Sequence, residues 1–134
     1  MIFLDFLYIV CCDYYKKNEP DLFKFSGLLL LTLVFLLNVI LCSILLYDFK
    51  IIDHDPYKYR YYWIGINSLV IFLFLYLRYY KVINYEDVNN KSFSLSEGRR
   101  NRYYRLAILY ILLSICSTFG VAIYNGGKVN GWWG

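Results

Sequence analysis

The sequence predicts an all-α membrane protein: three transmembrane helices preceded by a short interfacial N-terminal helix. Three observations predict it. Of the 134 residues, 60% are apolar, 22% aromatic and only 18% charged. The apolar residues come in long blocks instead of alternating with polar ones. Lys and Arg gather in alternate flanks of these blocks. A disordered chain is poor in aromatics and rich in charge, so that class is excluded.

Three intervals lack Asp, Glu, Lys and Arg: Phe25 to Tyr47 (23 residues), Tyr61 to Leu77 (17) and Leu106 to Gly127 (22). A hydrocarbon core about 30 Å thick needs roughly 20 helical residues. The first and third intervals meet this. The second covers about 26 Å at the α-helical rise. Arg60 and Arg78 bracket it, and their long side chains reach toward the interface. Backbone amides in hydrocarbon must pair within their own segment or around a closed barrel. Barrel strands alternate over about ten residues. These runs are continuous, so helices are expected.

The segment "MIFLDFLYIVCC" is apolar, too short to span and interrupted by Asp5. No Lys or Arg precedes Lys16 and no small-residue cleavage site follows, unlike a secretory signal. Residues 1–17 therefore read as an interfacial helix, with continuous apolarity leaving shallow re-entry open. Pro20 suggests that the first spanning helix begins near Glu19–Asp21. The spans are then 25–47, 61–78 and 104–125, with a basic loop at 79–103 and a tail at 126–134. The second helix is expected to run on through "RYYKVINYEDV" and break at "NNKS". Ser94 and Glu97 have capping-box spacing at the start of the third. Gly126 and Gly127 suit its stop.

Residues 1–26 and the loop 78–105 together hold ten Lys and Arg, and the other two flanks hold four. Cytoplasmic loops carry the excess of Lys and Arg. The N-terminus and the 78–105 loop are thus expected inside a bacterial inner membrane, and the 48–60 loop and C-terminus outside. Arg78, Lys81, Arg99, Arg100, Arg102 and Arg105 are the candidate contacts to lipid headgroups or a partner. Each basic residue near an anionic surface contributes about 1 kcal/mol. Tyr and Trp favour that headgroup level. Tyr14, Tyr15, Tyr79, Tyr80, Tyr103 and Tyr104 fall on the inner boundary. Tyr47, Tyr61, Trp63, Tyr124, Trp132 and Trp133 fall on the outer. A nucleic-acid surface needs stacking aromatics on one basic face. Here aromatics crowd every boundary, so no nucleic-acid partner is expected.

The polar residues within spans are Asn38, Asn67, Ser114, Ser117 and Thr118. Helical rise puts Asn38, Asn67, Ser114 and Ser117 about 13, 9, 15 and 10 Å from the outer boundary. They can meet in one bundle as inter-helix hydrogen bonds. A polar pore is the other reading. Ser114, Thr118 and Ala122 form one small-residue face, which predicts that the third helix is the most buried against its neighbours, or equally that it is a homo-oligomer face. The uncharged spans speak against a pump, whose ion path normally needs ionisable groups in the membrane.

"DHDP" (Asp53, His54, Asp55) resembles a ligand cluster, but metal sites need ligands converging from more than one segment, so an exposed loop is expected. Cys11, Cys12, Cys42 and Cys116 lie in apolar contexts and read as small hydrophobes. Adjacent cysteines at a membrane surface can also be acylated. No nucleophile, phosphate-loop or zinc-protease motif occurs, and no catalytic residue, metal or cofactor is expected.

Three stretches, "FLDFLYIVCCDYYKKNEP", "LRYYKVINYEDV" and "EGRRNRYYRLAILYILLS", follow one another in a layout that resembles small three-span membrane proteins of Bacteroides-like lineages. The resemblance covers most of the chain and rests on composition and hydropathy order. It implies the same architecture and no particular activity. The expected function is that of an interaction or accessory protein acting through helix packing and a basic cytosolic loop. Its expected partners are membrane lipids, a second copy or another membrane protein. The alternative is a subunit of an oligomeric pore or membrane-disrupting effector.

Overall fold

The architecture comes from a computed structural model, which describes residues 3–51, 53, 58 and 60–131. Five helices follow one another: α1 (Phe3–Lys16), α2 (Phe23–Asp48), α3 (Arg60–Tyr76), α4 (Tyr85–Phe93) and α5 (Glu97–Val129). A π-helical turn, Leu77–Val82, extends α3. No strand occurs among the described residues. The helices Phe23–Asp48, Arg60–Val82 and Glu97–Val129 are long and apolar enough to cross a membrane.

α2 is the hub, the shared neighbour of α1, α3 and α5. Of its apolar stretch 28% is buried inside the protein, against 17% for α5 and 6% for α3. The third spanning helix is therefore not the most buried one. Its small-residue face packs through Ser114 and Thr118, while Ala122 is exposed. α2 takes the central place because a second helix, α1, needs a surface to lie on, and α2 offers the most extensive one.

That surface is set by Gly27. A Cβ there would come 2.8 Å from the backbone nitrogen of Cys12 and 2.9 Å from its Cα. The missing side chain lets the two backbones touch, as small residues do at membrane helix crossings. From this contact α1 runs antiparallel to α2. Leu4, near its start, lines a groove with Phe35. α1 thus covers α2 from Gly27 to Phe35, about 12 Å of helix. Every residue from Asp5 to Cys12 is buried. A helix apolar all round must be buried, in protein or in lipid, and here protein supplies the cover. α1 is enclosed by α2, α4 and α5, with Tyr8 stacked on Tyr79 of the π-helical turn at 4.0 Å.

Several boundaries differ from the sequence-based expectation. α2 starts at Phe23, because Pro20 sits in a turn where the amides of Asn18 and Glu19 both donate to the Tyr15 carbonyl. The π-helical turn after α3 stops at Val82, where Ile83 and Asn84 are extended, and "NNKS" lies inside α4 instead of breaking a helix. The capping box does not form: Ser94 closes α4 and bonds the Lys91 carbonyl, while Ser96 precedes α5. Helix α5 passes through Gly126 and Gly127 and ends at Val129, capped by Asn130, with Gly131 beyond it at a φ of 72°, the left-handed turn that ends a helix.

Candidate functional site

The helix directions collect charge at one end. Leu37 meets Thr118 and Asp48 meets Asn125, so α2 and α5 run parallel and start at the same end. The C-terminus of α1, the end of α3 and all of α4 join them there. Ten of the fourteen Lys and Arg residues lie in the segments that lead to that end, and all but Arg78, which pairs with Asp5 farther along α1, are free to gather there. It is a folded platform and not an open loop.

α4 forms this platform because Tyr85, Val88 and Ser92 present one buried face, spaced as helical periodicity requires. Glu86 and Asp87 in its first turn and Lys91 in its last complement the helix dipole. Two polar side-chain contacts help to dock it. The Tyr85 hydroxyl donates to Asp13 of α1 at 2.8 Å. Glu86 pairs with Lys24 of α2. The Lys24 ammonium beside Glu86 holds its carboxyl below the usual carboxylate range.

Between α1, α4 and α5 lies a polar pocket of about 240 Å³. Asp13, Asn89, Ser92, Arg100, Asn101 and Tyr104 supply its polar wall. Arg100 is half-buried, with its guanidinium 4.4 Å from the centroid of the Phe93 ring, a cation–π contact. A second recess, about 570 Å³ and mostly apolar, continues along α1, α2 and α5 and shares Asp13 and Tyr104 with the first.

The other candidate basic residues divide. Arg99, Arg102, Arg105 and Lys81 are exposed at the platform end. Arg78 turns inward and donates to the Asp5 carboxylate at 3.0 Å, with side-chain exposures of 21% and 7%. The Tyr79 hydroxyl donates to the same oxygen at 3.0 Å. Arg78 is thus bound by α1 and does not simply reach out to headgroups. The sequence carried a sign of this: one carboxylate in an apolar run demands a partner.

Of the polar span residues, three come together. Asn38 Nδ2 donates to the Tyr110 hydroxyl at 3.0 Å and to Ser114 Oγ at 3.1 Å. Thr118 Oγ1 donates to the Ser114 carbonyl at 2.8 Å and also faces the Leu37 carbonyl at 3.4 Å. Asn67 instead donates to Trp63 of its own helix, and Ser117 is exposed on α5. Tyr110 escaped the sequence reading because a tyrosine in a span reads first as an apolar ring.

Cys11 and Cys12 are fully buried, which closes them to acylation in this conformation, while Cys42 and Cys116 are exposed. His54, Asp55, Trp132 and Trp133 lie outside the described residues. Comparison with protein-family models, curated proteins and solved structures gives no match. The three apolar helices make the chain a multi-pass helical membrane protein.

Proposed function

We propose that the chain is an accessory or interaction protein of a bacterial inner membrane, with its platform in the cytoplasm and the C-terminal end of α5 outside. One observation carries the reading. The basic residues converge on a built surface, α4 and the base of α5, that is tied to the spans through Asp13, Glu86 and Phe93. Arg99, Arg102 and Arg105 stand exposed there beside the membrane boundary, where an acidic partner or anionic headgroups can meet them. The Lys and Arg excess at that end favours its cytoplasmic location.

A pore is less well supported. Asn38 is turned between α2 and α5 and spends its donor on Tyr110 and Ser114. Of the three residues expected to face a lumen, Ser117 and Asn67 remain.

Cysteine accessibility in intact cells tests the orientation, in a background free of native thiols. Lys128→Cys is expected to react with an impermeant maleimide at once, and Lys91→Cys only after permeabilisation. The reverse pattern inverts the protein. Cross-linking in mild detergent tests the role: a partner adduct lost on Arg99, Arg102 and Arg105→Gln supports it. A closed ring whose conductance changes with Asn67→Leu replaces it with the pore.

A further inference from the structure

We propose that the polar pocket and the apolar groove beside it form one site for a single phospholipid with a primary-amine zwitterionic headgroup, of the ethanolamine type. This rests on the membrane reading above and adds a specific ligand to it.

The pocket holds one side chain of each sign, Asp13 and Arg100, together with the amides Asn89 and Asn101. A lone anion would meet the Asp13 carboxylate, and a lone cation would meet the Arg100 guanidinium. A molecule with both charges satisfies both. Guanidinium matches phosphate through paired N–H donors. The Asp13 carboxylate takes hydrogen bonds from the Tyr85 and Tyr104 hydroxyls. A carboxylate has roughly four lone-pair sites, so capacity for an ammonium remains. A quaternary amine has no N–H to donate and would need an aromatic cage instead. The volume of about 240 Å³ suits a headgroup.

The groove supplies the second half of the ligand. Val10, Leu30, Ile108, Ile111, Leu112 and Ile115 line it. From Tyr104 to Ile115 it follows about 16 Å of α5. Half of a 30 Å hydrocarbon core is about 15 Å, the depth of one leaflet. Asp13 and Tyr104 border both spaces, so headgroup and acyl chain are continuous. Tyr14 and Tyr15 stand at the same groove, and tyrosine favours the headgroup level. A soluble zwitterion would leave this groove unused.

The test is lipid binding to the detergent-purified protein, read by native mass spectrometry. The probes are phosphatidylethanolamine, phosphatidylglycerol and phosphatidylcholine of matched chains, with soluble phosphoethanolamine as competitor. The wild type is expected to hold phosphatidylethanolamine about tenfold tighter than the other two, the scale of one charge-assisted hydrogen bond. Asp13→Asn should erase the margin over phosphatidylglycerol. Arg100→Gln should weaken phosphatidylethanolamine and phosphatidylcholine alike, with partial recovery in Arg100→Lys. Ile111→Trp should expel all three by filling the groove. If Arg100→Gln does not fold, the wild-type series and Asp13→Asn decide. Equal retention of the three lipids by the wild type overturns the site. So does phosphoethanolamine competing at concentrations equal to the lipid. A chain that stays monodisperse after detergent removal overturns the membrane reading itself.

Discussion

Asp5 and Arg78 carry opposite charges into a largely apolar interior, 73 residues apart in sequence. Burying either alone is costly, and breaking such a pair by removing one partner costs about 3–5 kcal/mol. Replacing both with apolar groups often costs little. Asp5→Leu is therefore expected to lower the unfolding midpoint in detergent sharply, and the double variant Asp5→Leu/Arg78→Met to recover most of it. A double variant as unstable as the sum of the singles would show that the two charges are not coupled. Arg78 already read as a helix-end anchor, and Asp5 as an interruption. What joined them was a π-helical turn, in which the Ile83 amide donates to the Arg78 carbonyl at 2.7 Å. The wider turn re-aims side chains, and no local propensity announces it.

Among the elements, α1 depends most on its neighbour. Its seat is the contact between Gly27 and Cys12, and a side chain at position 27 would strike backbone atoms that cannot rotate away. Gly27→Leu should lift α1 from α2. Cys12, fully buried in the native packing, would then react with a maleimide without denaturant. An unchanged labelling pattern, with only Cys42 and Cys116 reactive, would refute this account of the α1–α2 contact. The spanning helices were legible in the sequence because hydropathy is a local property and lipid demands it of every residue in turn. α1 was legible as a helix but not as a buried one. Continuous apolarity fits a membrane surface and a protein interior alike, and the deciding contact lies with another helix.

For the whole molecule, α3 is the thinly covered member, with Leu75 its one buried residue among those described. Leu69 and Leu73 are 60% and 48% exposed, whereas Leu75 is 1% exposed. Leu75→Ala should cost about 2 kcal/mol or more by leaving a cavity. Leu69→Ala and Leu73→Ala should each change stability by less than about 0.5 kcal/mol. Thermal melts in detergent measure the difference. A large loss at Leu69 would mean that a partner or second copy covers this face. The Asn38, Ser114 and Thr118 cluster belongs to this scale too. Sequence depth brought these residues to similar levels, but rotation about each helix axis decided that Asn67 and Ser117 stay out.

By itself the sequence determined three helices that need lipid, a charge excess at one end of them and a short apolar helix before them. These follow from the solvent each residue must occupy, which composition along the chain records. Only the tertiary structure decided that α1 is enclosed, that Arg78 belongs to Asp5, and that Asp13 and Arg100 share one pocket. Those outcomes depend on helix rotation, close approach and a shifted turn. Such quantities arise when separate segments meet, and neither segment encodes them alone.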